Sequence, residues 1–256
     1  LVEKVGKKFI RANNAAAKNV TDLQIGGREI KLEADTMLEK ELIKGLSHTG
    51  IAILSEETGF IPGKSLPQLL WVIDPLDGSY NFSRNLGPSM ISVALWDENE
   101  PVLGVLFNLV TKQMIFGGPQ IGAHVGKNPV TVSDRKDRGQ ATLVTGFPSR
   151  FPISDAKAVA SFAEILTSFG KVRMIGSACA SLALVATGSA DVYAEHNIMF
   201  WDIAAGLAIV NGAGGTFELE GVNLSEGIFS EPCTVVASNN KFDVSVTMFD
   251  KMRGIA

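Results

Sequence analysis

Cysteine is nearly missing from this chain. Its 256 residues include two cysteines, Cys179 and Cys233, far apart and each among small or apolar neighbours. That excludes a disulfide framework and a Cys/His zinc set, and makes a reducing cytoplasm the expected compartment. The histidines, His48, His124 and His196, stand isolated and are assigned no role. No apolar run reaches the ~18 residues of a membrane span, and no basic-then-apolar segment precedes the first helical pattern, so no membrane partner is expected. The chain starts at Leu1, which leaves a removed leader open. Positive charge is not in excess: 23 Lys and Arg stand against 27 Asp and Glu, for a net charge of −4, scattered along the chain. Without a basic patch, nucleic acid is not expected as a partner. A G-x-x-x-x-G-K-[ST] loop is absent too, and Gly212-Ala213-Gly214-Gly215 closes a helical pattern where a nucleotide loop would open one.

What is present is a patterned, 46% hydrophobic sequence long enough for one large domain or two ordinary ones. Apolar residues recur at helical spacing over 1–18 and 33–46, with a hairpin or turn around Gly26-Gly27 between them. Short strands are predicted at 51–54 and 69–73, followed by an antiparallel meander over 89–126. A polar stretch near 130–140 marks a boundary, after which strands and helices alternate to residue 238. The class is mixed α/β.

Acids stand at the ends of these apolar runs. IAIL exits into Ser55-Glu56-Glu57, LLWVI into Asp74-Pro75-Leu76-Asp77-Gly78, and Trp201-Asp202 opens a later helix. Strand ends are where α/β proteins gather functional groups. If Glu56, Asp74, Asp77 and Asp202 converge, each pair about 4 Å apart repels by roughly 4 kcal/mol at an effective dielectric of 20. The acids must then stay apart, hold protons or share divalent cations. Oxygen-only donors favour Mg²⁺ or Mn²⁺ over zinc. Gly78 permits a tight turn, and Ser79 would begin a helical turn whose amides suit an anion. Taken singly, each motif has a plainer reading: Asp-Pro-Leu-Asp-Gly as a turn, Asp202 as a helix cap, Glu56-Glu57 as a solvated loop.

Together, SEETG, WVIDPLDGSYNF and WDIAAGLAIVNGAGG resemble the signatures of the inositol monophosphatase family, Mg²⁺-dependent, lithium-sensitive phosphomonoesterases related to fructose-1,6-bisphosphatases. The resemblance implies a layered α-β-α-β-α sandwich and a homodimer. It implies an N-terminal α+β domain over 1–135 that carries the metal loops, and a C-terminal α/β domain over 136–256 that supplies Asp202 and substrate contacts. In that pattern Glu56, Asp74 and the Leu76 carbonyl hold one Mg²⁺, and Asp74, Asp77 and Asp202 a second. Glu56 assists a third, weaker site, with Mn²⁺ as an alternative ion. The amides of Gly78 and Ser79 cradle phosphate, and the Ser79 hydroxyl, supported by Asp35, orients the attacking water. Gly176, Ser177, Ala178 and Glu195, with Asp77 and Asp202, contact the substrate.

The implied activity is hydrolysis of a small phosphorylated metabolite, with inositol monophosphate as the first expectation. Fructose-1,6-bisphosphate, 3′-phosphoadenosine 5′-phosphate and histidinol phosphate are alternatives, and a non-catalytic metal- or phosphate-binding regulator is a third reading. The sequence departs from the pattern in places: Ser79 replaces threonine, Tyr80 replaces a second threonine, Gly212 stands at the Glu of Glu-Ala-Gly-Gly, and the lid region near 18–33 does not align.

Overall fold

The computed structural model describes residues 1–12, 20–24, 29–147 and 154–242. Helices α1 (Val2–Ala12) and α2 (Glu33–Leu46) answer the first two helical patterns. The remainder of the 1–18 pattern, and the Gly26-Gly27 turn, lie outside the described residues. The flanking strands β1 (Val20–Gln24) and β2 (Glu29–Leu32) pair antiparallel, as a hairpin requires.

Eight strands form the first sheet: β3 (Ala52–Ser55), β4 (Gly59–Ile61), β5 (Leu69–Asp77), β6 (Met90–Asp97), β7 (Glu100–Asn108), β8 (Met114–Gly118), β9 (Gly122–Val125) and β10 (Asn128–Val130), in the order β10-β9-β8-β7-β6-β5-β3-β4. Helix α3 (Ser79–Arg84) follows β5. The meander from β6 to β9 is antiparallel as expected, whereas β3 and β5 run parallel and so end on the same side. A second sheet holds β11 (Thr142–Thr145), β12 (Lys171–Met174), β13 (Val192–Ile198), β14 (Thr216–Glu220) and β15 (Cys233–Ser238), ordered β12-β11-β13-β15-β14. Helices α4 (Ala156–Thr167), α5 (Ala178–Ala186) and α6 (Phe200–Gly212) complete the α-helices among the described residues.

Alternation along the strands sorts their side chains between layers. In β5, Trp71 and Ile73 face α1 and α2, while Leu70 and Val72 face α5 and α6. In β15, Val235 and Ala237 face α5 and α6, while Val236 faces α4. The molecule is therefore five layers, α1-α2, sheet, α5-α6, sheet, α4, as the resemblance implies. Helices α5 and α6 are nearly apolar all round because both faces are covered by sheets. Strands β4, β10 and β14 were not anticipated. The first two are three residues long, and β14 alternates polar and apolar residues too briefly for its period to stand out.

Candidate active site

The opening acids are placed by a defect in pairing. Two residues three apart on a regular strand point to opposite faces, because side chains alternate. In the β5–β6 ladder Asp74 pairs with Ser92 and Asp77 with Met90, so three steps on β5 match two on β6. This one-residue bulge falls at Pro75-Leu76, where proline lacks an amide to give the ladder. The strand thus continues through the two aspartates, where the turn reading would have ended it at Ile73. Asp74 and Asp77 emerge on one side, and they meet Asp202 with ligand atoms within 4.8 Å of one another.

Asp202 is the third residue of α6, so it is not the helix cap; its Oδ2 accepts the Met199 amide at 3.2 Å. Two anchors hold that helix against the first sheet. Trp96 is buried on β6, donates Nε1 to the Ala204 carbonyl at 3.2 Å, and lies edge-on to Phe200.

A second acidic group sits alongside. Asp35, Glu56 and Glu57 also bring ligand atoms within 4.8 Å of one another. Asp35 is 2% exposed in the first turn of α2, so its carboxyl is buried beside the site and not on the surface. Its Oδ2 accepts the Leu32 amide at 2.9 Å, and Ser79 Oγ lies 3.0 Å from its Oδ1 and 2.8 Å from the Leu76 carbonyl. The Glu56-Glu57 loop is tied down by Glu39, one turn along α2. Glu39 accepts the Thr58 amide at 2.9 Å and the Thr58 hydroxyl at 2.8 Å. Sequence reasoning missed Glu57 and Glu39. The available signal for Glu39 was an acid repeated one turn after Asp35 on the face that carries Leu38 and Leu42.

Burial is the main cause of the electrostatics here. It raises Asp74 and Asp202 well above the usual carboxylate range, and the charge of Glu56 adds to both. Burial pushes Asp35 to about 6 against the Leu32 and Ser79 hydrogen bonds. Asp77 also rises to about 6 by burial, opposed by donors from α5: the Ser177 hydroxyl, the Cys179 amide at 3.0 Å and the Ala178 amide at 3.2 Å. Asp74 Oδ1 accepts the Leu76 amide at 2.9 Å, but its Oδ2 is buried with no donor. Without a cation, Asp74 and Glu56 would have to share a proton. An all-oxygen donor set with one buried carboxylate oxygen awaiting a partner fits a hard divalent cation.

Beside the acids lies a cavity of about 210 Å³, lined among others by Asp77, Gly176, Ser177, Ala178, Glu195 and Asp202. The carboxyl ends of β11 and β12 lead into it, so both sheets contribute. Glu195 is half-buried and accepts the Tyr193 hydroxyl at 2.9 Å; burial raises it to about 7. Gly146 leaves it room, since a Cβ there would fall 2.1 Å from Glu195 Oε1. Gly78 has φ 81°, and a Cβ on it would meet the Pro88 carbonyl at 3.0 Å and the Gly176 carbonyl at 3.3 Å. Buried Asn81, also missed from sequence, donates Nδ2 toward the Ile175 carbonyl at 2.9 Å and so fastens α3 to the loop before α5. A larger groove of about 830 Å³, lined by Phe60, Leu70 and Phe229 among others, is lined by none of these acids.

The model of the inositol monophosphatase family matches residues 1–243. The chain belongs to that family. Its chemistry is phosphoric monoester hydrolysis, and small phosphorylated compounds are its substrates. Among curated relatives, an inositol-1-monophosphatase of Synechocystis is 32% identical over 230 residues, covering 87% of this chain and 77% of the relative. A protein named Nus factor SuhB, of Xylella fastidiosa, is 32% identical over 214 residues, covering 82% and 77%. The crystal structure of extragenic suppressor protein suhB from Bartonella henselae superposes with a TM-score of 0.80 at 26% identity, covering 99% of this chain and 95% of that one. Among the described residues, no helix is long and apolar enough to cross a membrane.

Proposed function

We propose that the chain hydrolyses a small, hydroxyl-bearing phosphomonoester in a Mg²⁺-dependent reaction, with inositol monophosphate as the leading substrate. The observation that carries this reading is the meeting of two carboxylate groups around an undonated Asp74 oxygen, beside a hydroxyl held by a buried acid. Asp74, Asp77, Asp202, Glu56 and the Leu76 carbonyl would hold the cations, with Glu57 adjoining. Bound there, Mg²⁺ supplies Lewis acidity toward phosphate oxygens and lowers the pKa of water.

The protein's own groups do the rest. Ser79 Oγ, donating to Asp35 Oδ1, keeps a lone pair for the attacking water and orients it. Asp35, raised to about 6, is near enough to neutral to take the proton through Ser79. The glycine turn at Gly78 leaves the chain open for phosphate. Glu195 accepts a substrate hydroxyl, with Gly176 to Ala178 forming the cavity wall. Family habit adds lithium inhibition and a homodimer to the same reading.

The test is phosphate release from a panel of small phosphomonoesters, with and without Mg²⁺. Metal-stimulated turnover that Asp77→Asn abolishes is expected. A chain that binds Mg²⁺ but releases phosphate from none of them is a regulator rather than an enzyme.

A further inference from the structure

Asp77 is held differently from the acids around it. All its donors come from the first turn of α5, across the site from β5. Oδ2 accepts the Ser177 hydroxyl and the Cys179 amide at 3.0 Å, and Oδ1 accepts the Ala178 amide at 3.2 Å. Ser177 is the cap of α5, and its Oγ accepts the Ala180 amide at 3.0 Å. One lone pair of the hydroxyl is therefore committed to the helix, and its single proton goes to Asp77. At 5% exposure, Ser177 has little surface to offer a ligand.

An ionised carboxylate offers about four acceptor directions. Three are filled here, both on Oδ2 and one on Oδ1. The remaining direction, on Oδ1, belongs to a residue grouped with Asp74 and Asp202 and lining the cavity. Asp74 differs, because its Oδ2 has no donor at all. The α5 turn also cannot drift freely, since Gly176 at φ 74° and the Ile175 carbonyl pack against Asn81.

On the functional reading above, we propose that Ser177 is a positioning residue for the metal centre. Its hydroxyl acts through Asp77, turning that carboxylate so that Oδ1 alone is offered to a cation. The first turn of α5 thereby becomes part of the cation site as well as of the cavity wall. Outer partners of this kind set ligand orientation and typically govern about 10–100-fold in metal affinity.

Titration of Mn²⁺ into the 256-residue chain without substrate, followed by calorimetry and by the free-Mn²⁺ resonance signal, tests this. Ser177→Ala is expected to weaken Mn²⁺ binding ~10–100-fold. Ser177→Thr, which keeps the hydroxyl, should retain it. Asp155→Ala removes the cap of α4, far from the acids, and should lower the melting temperature without changing Mn²⁺ affinity. If Ser177→Ala does not fold, Ser177→Cys keeps the shape with a weaker donor and should bind Mn²⁺ less tightly than Ser177→Thr. Unchanged Mn²⁺ affinity in these variants, with only KM for the phosphate ester raised, overturns the proposal and makes Ser177 a substrate contact. A wild-type chain that binds no Mn²⁺ overturns the functional reading itself.

Discussion

Asp202 shows at the scale of one residue how function and stability oppose each other here. Burial and the charges of Glu56 and Asp77 raise it well above its usual range, so in the cation-free chain it is a strained neighbour. Asp202→Asn removes that repulsion while keeping the shape. The cation-free variant should melt higher than wild type, by ~2–4 °C if about 1 kcal/mol is relieved. Mg²⁺ should no longer raise its melting temperature, and phosphate release should fall by more than ~100-fold, beyond what an outer partner alone costs. A variant that melts lower in calorimetry would show that Asp202 serves the fold.

The sign of the pH dependence follows from the same acids. Asp35 and Asp77 rise from 3.8 to about 6, and Glu195 from 4.5 to about 7. Between about pH 4 and pH 7 the folded chain therefore holds more protons than the unfolded one, so stability falls as pH rises through that window. Thermal melts without cation should be higher at pH 5 than at pH 8, and Mg²⁺ should add more stability at pH 8.

At the scale of elements, the site depends on where strands and helices end. The bulge in β5 aims two acids one way, and the first turns of α2 and α6 bring Asp35 and Asp202 where the positive end of a helix favours negative charge. The end of β11 contributes an absence. Gly146 gives Glu195 its place, and Gly146→Ala would put a Cβ 2.1 Å from the carboxylate oxygen. If Glu195 accepts a substrate hydroxyl, the variant should raise KM about tenfold, as loss of one hydrogen bond worth about 1.4 kcal/mol would. Its kcat should stay close to wild type, since no cation-holding acid is touched. Steady-state kinetics on the preferred ester separates these, and a fall confined to kcat would argue against Glu195 as a recognition residue.

On the scale of the whole molecule, α6 is the beam that carries Asp202 between two sheets. It lies close against the first sheet because glycines stand where side chains would collide: a Cβ on Gly104 would fall 2.0 Å from the Ala205 carbonyl. Gly104→Ala should push helix and sheet apart at a cost of ~1–3 kcal/mol, lowering the melting temperature by ~2–4 °C per kcal/mol. Phosphate release should fall with it, because Asp202 moves with its helix. Scanning calorimetry and the release assay on one preparation check both effects.

The long helices and strands and the principal acids were legible in the sequence because their signals are local, while the five layers were implied only by the family resemblance. Apolar period announced the long helices and strands, and carboxylates at the exits of apolar runs, with the Gly-Ser turn, marked the site. Glu57 and Asn81 were illegible because their work is done across elements: Glu57 against Asp35, Asn81 on the Ile175 carbonyl. No local pattern records such contacts. By itself, the sequence determined which residues are acidic and where the long helices and most strands form. Only the tertiary structure decided that Asp74 and Asp77 share a face, since that rests on pairing with β6. It alone decided, too, that the Ser177 hydroxyl turns toward Asp77, since that rests on α5 packing across the site.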